Sequence, residues 1–371
     1  MNGIWLPEQS CLKAPWVNKV SKFDFDFDYD WFASPIFIGS NSIKIACHVV
    51  RPNNWSGEYT AILCHGFPEI AFSWRFQVKA LLKLGFRVVM PDLRGYGRSS
   101  APTDASQYSQ SKLVNDIIEI IICLKAVKVL LIGHDFGGAI CWRLAQDYPE
   151  KLLGLIVSSS PYPDYSIDPI EACDLLFGKQ NYFRYFQTDE SVNLLNSDIN
   201  RTLRFYFRRD VGQGTNLSTT RRKDRHTMSH PLRISEDLDV GELFLSAQEL
   251  QFYQSMFEIN GFEPPIYWYR CIQEEHKEFL LCKPRLISIN VPVLAIGAEL
   301  DYVVPSISCN FSPPNFTRFS YSSIPSAGHW SNQERPEDYN LIVSKWITDN
   351  LIQIRGAHYD NSENTLQDIR G

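Results

Sequence analysis

GHDFGG, Gly133–Gly138, follows the aliphatic run VKVLLI at Val127–Ile132 and precedes a segment with a helical pattern. Its spacing is that of a nucleophile elbow, G-x-S-x-G, in which a sharp strand-to-helix turn lifts one reactive side chain to its tip. Here Asp135 stands where that motif has serine. Gly133, Gly137 and Gly138 supply the small residues so tight a turn needs. Two readings of Asp135 follow: a nucleophile at the tip, or an N-cap for a helix starting at Phe136 or Gly137, since aspartate is a favoured cap.

The surroundings of the elbow predict the fold class. Short apolar runs, AILC (Ala61–Cys64), FRVVM (Phe86–Met90), VKVLLI, LLGLIV (Leu152–Val157) and VPVLAI (Val291–Ile296), alternate with helical patterns. Such alternation predicts an α/β architecture, a mostly parallel sheet flanked by helices. Leu113, Val114, Ile117, Ile118, Ile121 and Ile122 recur at helical spacing, which predicts an amphipathic helix over 113–124 packed on that sheet. The alternation stops after SSSPYPDYS, and residues 161–285 are aromatic-rich with helical stretches. They read as an inserted, mainly helical cap over the carboxyl edge of the sheet. The basic run RRKDR (Arg221–Arg225) within them reads as a solvated loop. The organisation expected is an N-terminal extension at 1–31, a core at 32–160 and 286–354, the cap at 161–285, and a polar tail at 355–371. FDFDFDYDWF (Phe23–Phe32) alternates strictly, as an edge strand or a docking segment would.

Composition narrows the function classes. The 371 residues are 44% hydrophobic and 21% charged, in the globular range. A net charge of −6 sets nucleic acid aside as a partner. Nine cysteines, scattered and without a C-x-x-C pair, read as free thiols of a reducing compartment. The start, MNGIWLPEQSCLKAPW, does not pattern as a secretory signal, and the greasiest run, Leu113–Ile132, carries Asp116, Glu119, Lys125 and Lys128. A cytoplasmic protein is expected, with peripheral membrane association left open. His226 and His230 stand four apart, but Pro231 follows and no third ligand accompanies them, so no metal is expected. GYG at Gly95–Gly97 is a turn signal, and no cofactor is implied. Nothing in the residues specifies an oligomeric state.

Chain order favours the nucleophile. Hydrolases built on such an elbow place nucleophile, acid and histidine in that order, and Asp135 is followed by Asp301 in GAELDYVVP and His329 in AGHWSN. With HGFPE (His65–Glu69), SWR (Ser73–Arg75), DLRGYGRSSAP (Asp92–Pro102) and GHW, the chain from about 32 to 354 resembles the soluble-type epoxide hydrolases of the α/β-hydrolase superfamily. Related dehalogenases share parts of these motifs.

The chemistry of a carboxylate fits that resemblance. A carboxylate is already anionic at neutral pH and can displace a leaving group from saturated carbon, forming an ester that a second step must hydrolyse. His329, oriented by Asp301, would activate the water for that step. The resemblance assigns the oxyanion hole to the backbone amides of Phe67 and Phe136. It departs from the family at Phe136, where tryptophan is usual. The family's cap motifs place proton-donating tyrosines at Tyr182, five residues before the glutamine of the F-Q pair in NYFRYFQ, and at Tyr269 in YWYRC. Tyr185 and Tyr267 are their near neighbours in sequence. His65 and His134 fall outside the triad order and read as hydrogen-bonded structural residues. The implied function is conversion of an apolar small-molecule epoxide and water to a vicinal diol. A haloalkane or haloacid dehalogenase with the same triad, and a catalytically silent binding protein, are the alternatives.

Overall fold

The computed structural model describes residues 32, 34–39, 42–53, 55, 57, 59–163, 167–209, 242–282, 290–310 and 315–351. The run Phe23–Phe32 apart from Phe32, RRKDR, His226, His230 and the tail beyond 351 lie outside these residues.

Among the described residues eight strands form one sheet: β1 (Ile36–Ile38), β2 (Ile45–Val50), β3 (Thr60–Cys64), β4 (Arg87–Pro91), β5 (Val129–His134), β6 (Leu152–Ser158), β7 (Val293–Ala298) and β8 (Phe319–Ile324). Their order is β1-β2-β4-β3-β5-β6-β7-β8, antiparallel over the first three and parallel from β4 onward. The five expected strands are present with bounds shifted by at most two residues. In β3, β4, β5 and β7 every residue is buried, the pattern of strands covered on both faces, so their apolar runs are unbroken and legible. β1, β2 and β8 were not anticipated. β1 is only three residues long, and β8, FSYSSI, is an edge strand whose residues are mostly half-buried and polar. Neither leaves an apolar run to read.

The core helices are α1 (Val78–Lys83), α2 (Gln110–Cys123) and α3 (Phe136–Asp147). The expected amphipathic helix is α2, beginning three residues earlier than its apolar pattern. Asp116 on its buried side is paired with Arg94 (Nη2 to Oδ1, 2.6 Å), which is how a carboxylate is accommodated there. Between β6 and β7 the chain forms α4 (Pro169–Phe177), α5 (Tyr182–Tyr185), α6 (Asp189–Ser197), α7 (Ile199–Tyr206), α8 (Ala247–Asn260) and α9 (Glu263–Cys282). A complete capping box at Ser246 and Glu249 fixes the start of α8. After β7 come α10 (Ser306–Cys309), α11 (Ser331–Glu334) and α12 (Pro336–Asn350).

Large aromatic residues carry the packing between the inserted helices and the core. Phe67 lies edge-on to Phe186, Tyr206 and Tyr269, while Phe72 meets Phe252 and Tyr253. Among the described residues no helix is long and apolar enough to cross a membrane. The seven cysteines with described side chains are free thiols.

Candidate active site

β5 delivers its last residue, His134, to the carboxyl edge of the sheet, and α3 starts two residues later. Between them Asp135 adopts φ 52° and ψ −123°, a conformation that side chains other than glycine seldom hold. Its carboxylate makes no capping hydrogen bond to α3. The alternative reading as an N-cap is therefore not what this side chain does. Close packing keeps the turn tight: a Cβ on Gly137 would run into the carbonyls of Cys64 and His65, so α3 can pass β3 only with glycine there.

The two oxygens of Asp135 face different partners. Oδ1 accepts a hydrogen bond from the Phe67 amide at 3.0 Å, and Oδ2 lies 3.7 Å from Nε2 of His329. The amide of Phe136, the first residue of α3, has no acceptor within its own helix. His329 Nδ1 is 3.1 Å from both carboxylate oxygens of Asp301, and Asp301 Oδ1 also accepts from the amides of Val303 and Val304. Burial alone would lower the pKa of the His329 imidazole, but the Asp301 and Asp135 carboxylates outweigh it and hold the pKa well above the ordinary value. Burial works against the Asp301 carboxylate as well, and His329 and its other donors bring the net shift below the usual range. Asp135, Asp301 and His329, separated by up to 194 positions in the sequence, are thus brought together.

The two tyrosines also converge. Tyr269 on α9 packs edge-on against Phe136 (4.6 Å between centroids), Phe67 (5.3 Å) and Phe186 (4.8 Å), and Tyr182 on α5 lies 6.0 Å from it. Both phenols are pushed well above their ordinary pKa by burial first and, for each, by the charge of Asp135 as well. Gln187, the glutamine of the F-Q pair, donates to the backbone carbonyl of Tyr269 at 3.0 Å and so ties the two cap motifs together. Tyr267 instead lies tilted against Tyr108 at 5.3 Å, and Tyr185 lies against Phe186 at 6.4 Å.

Both remaining motif histidines are hydrogen-bonded within the core. His65 donates from Nδ1 to the Gly66 carbonyl and accepts at Nε2 from the Leu93 amide, a neutral ring whose pKa burial lowers. His134 faces Oε2 of Glu69 through Nδ1 at 2.7 Å and the backbone carbonyl of His329 through Nε2 at 2.8 Å. Both partners only accept, so both nitrogens carry protons. Against burial, Glu69 raises the His134 pKa, and the paired Glu69 falls to about 2. Glu69 was noted in the sequence only as part of HGFPE. A histidine beside the elbow aspartate was a signal for its partner, but the spacing of 65 residues concealed which one. Glu334 was also missed: its carboxylate accepts from the amides of Gly328 and Trp330 on either side of His329, and burial pushes it up to about 7.

Among the described residues no group of three His, Cys, Asp or Glu side chains is placed to hold a metal.

Comparison with known proteins agrees with this geometry. The family described as having the alpha/beta hydrolase fold matches residues 60–336. This chain belongs to the α/β-hydrolase family. Human epoxide hydrolase 4 is similar to this α/β-hydrolase, with 40% identity over 294 residues that cover 77% of this chain and 72% of the human protein. The bifunctional epoxide hydrolase 2 of Sus scrofa is 32% identical over 292 residues, 77% of this chain and 50% of the pig protein. The chain thus spans about half the length of that relative. Among solved structures, epoxide hydrolase A from Mycobacterium thermoresistibile superposes with a TM-score of 0.72 at 28% identity, covering 85% of this chain and 98% of that one. The α/β-hydrolase fold expected from the sequence is borne out, and these relatives place the chain in the epoxide-hydrolase branch of its family.

Proposed function

We propose that this α/β-hydrolase converts an epoxide and water to a vicinal diol through a covalent ester on Asp135. The observation that carries this reading is the pair of buried phenols, Tyr182 and Tyr269, held beside the Asp135 carboxylate. A halide leaving group needs only solvation, whereas an opened epoxide leaves an alkoxide that must gain a proton.

In the first half-reaction Oδ2 of Asp135 attacks a ring carbon, the carbon–oxygen bond of the epoxide breaks, and Tyr269 or Tyr182 gives its proton to the departing oxygen. Oδ1 stays on the Phe67 amide and becomes the carbonyl oxygen of the ester. Alkylation removes the negative charge of Asp135, one of the two carboxylates that hold His329 protonated. The imidazole thereby yields its proton to the tyrosinate left by ring opening and is released as a base. In the second half-reaction His329 takes a proton from water, whose hydroxide attacks Cγ of the ester. The oxyanion forms on Oδ1, where the amides of Phe67 and Phe136 receive it. The intermediate collapses, the product oxygen takes the proton from His329, and the proton left on the new carboxyl group passes to His329, restoring the imidazolium beside the Asp135 carboxylate.

Further proposals concern organisation and setting. Residues 161–285 form the cap, with 32–160 and 286–354 as the core, an assignment supported by helices α4 to α9 falling between β6 and β7. The substrate is an apolar epoxide, because Phe67, Phe136, Phe183 and Phe186 surround Tyr269. The cytoplasm is the expected location.

Diol formation across a panel of aliphatic, aromatic and fatty-acid epoxides tests the reading, with halide release from haloalkanes measured alongside. Halide released faster than any diol would replace epoxide hydrolysis with dehalogenation.

A further inference from the structure

Beneath the triad a chain of buried polar groups runs from α8 to the backbone of His329. Arg75 donates from Nε to Glu249 Oε1 on α8 at 2.6 Å and from Nη1 to Gln333 Oε1 on α11 at 2.7 Å. Gln333 passes its amide to Glu69, Nε2 to Oε1 at 2.9 Å. Glu69 Oε2 then accepts from the Gly66 amide at 2.9 Å and from His134, whose far nitrogen holds the carbonyl of His329. α8 has a second attachment: the hydroxyl of Tyr253 is 2.7 Å from Ser73 Oγ and 3.4 Å from Gln333 Oε1. Arg75, Gln333, Glu69 and His134 are all at most 4% exposed.

We propose that Gln333 is a positioning residue that couples the seating of α8 to both the oxyanion loop and the catalytic base. The proposal rests on the epoxide-hydrolase reading of Asp135 and His329. Geometry singles out Gln333 because its amide accepts from a guanidinium with one end and donates to a carboxylate with the other. A carboxylate in its place would oppose Glu69, and an ammonium would oppose Arg75. Every donor and acceptor in the chain has a fixed direction: the Glu249 carboxylate orients Arg75, Arg75 orients the Gln333 carbonyl, and the Gln333 amide orients Glu69. Glu69 in turn sets the Gly66–Phe67 backbone, whose amide holds Oδ1 of Asp135. It also sets His134 and so the height of His329. A shift of α8 therefore reaches the two groups that the ester-hydrolysis step depends on. The pairing of Glu69 with His134 keeps both ends of the core segment charged.

The test uses the full chain as Gln333→Leu, Glu249→Gln and the double variant. Each preparation is first titrated for alkylatable Asp135 by intact mass after reaction with an epoxide that the parent enzyme turns over. Single-turnover rates of alkylation and of ester hydrolysis are then expressed per alkylatable site. A role limited to folding would lower the titre and leave those rates unchanged. Positioning predicts slower ester hydrolysis per site, roughly two- to thirty-fold, in each single variant. Because the chain is cut at either point, the double variant should be no slower than Gln333→Leu alone. Unchanged rates per site, or a double variant whose loss is the product of the two single losses, would overturn the proposal. A parent enzyme that forms neither adduct nor diol would instead overturn the reaction assigned to Asp135, so the two failures are distinct.

Discussion

The backbone amide of Phe67 donates a 3.0 Å hydrogen bond to Oδ1 of Asp135, while the other carboxylate oxygen faces His329. The two oxygens are therefore inequivalent before any substrate arrives. The oxygen on the amide is prepared to become an ester carbonyl, and the one facing the imidazole is free to attack.

Replacing His329 with Gln should separate the half-reactions. Alkylation of Asp135 needs no base and should continue, whereas water is no longer activated and the ester should persist. Intact mass after incubation with epoxide is expected to rise by one substrate mass. A folded, substrate-binding variant that never acquires that mass would count against the covalent scheme.

The origin of the product oxygen follows from the attack at Cγ. In a single turnover in labelled water the diol should carry an unlabelled new oxygen taken from Asp135, and the label should enter the enzyme. Label found wholly in the first-turnover diol would mean that water attacks the substrate carbon directly.

Removal of the phenol hydroxyls tests the leaving group. Tyr182→Phe or Tyr269→Phe should slow ring opening by about a hundred- to a thousandfold, equivalent to roughly 2.7 to 4 kcal/mol, or less where the second tyrosine compensates. The double change should nearly abolish opening, and the two losses should not add simply, because the rings are neighbours. Near-parent rates in a folded double variant would remove both tyrosines from the mechanism.

Ester hydrolysis should depend on pH through His329. Asp301 and Asp135 raise its pKa against burial in the free enzyme, and alkylation cancels the Asp135 contribution. The base is the neutral ring, so ester decay should accelerate as pH rises through the pKa of His329 in the ester form. Adduct should accumulate at pH below that pKa and disappear above it. Equal decay on both sides, measured by quenching and mass, would exclude His329 as the base.

Folding stability should carry the signature of the Glu69–His134 pair. The Glu69 carboxyl is lowered from 4.5 to about 2, so its contribution is present above 4.5 and lost as pH falls toward 2. His134 is raised above 6.5, so its contribution is full below 6.5 and lost as pH rises through the raised value. The pair therefore stabilises most between these limits. Glu69→Gln should cost about 3–5 kcal/mol near pH 5.5, the range for breaking a buried pair. The cost should shrink toward pH 3. Denaturant unfolding at several pH values measures it, and a pH-independent difference would contradict the assigned charges.

What the sequence determined by itself was whatever is written locally. Strands buried on both faces are unbroken apolar runs, so β3 to β7 could be read, and the glycines around Asp135 announced a turn too tight for any larger residue. The order Asp135, Asp301, His329 was legible because chain order alone defines it. Edge strand β8 could not be read, since a half-buried polar strand leaves no periodic apolar signal. The cap motifs pointed to Tyr182 and Tyr269 through the resemblance, but only the tertiary structure brought their rings together against Phe136 and Phe67. Tyr182 and Tyr185 lie within one turn of α5, and Tyr267 and Tyr269 two apart on α9, so their directions depend on how each helix is rotated against Phe67 and Phe136. The same holds for the polar chain from Glu249 to His329. Its links join residues up to 264 positions apart, and no local pattern encodes a hydrogen bond that exists only after α8, α11 and the end of β5 have been packed together.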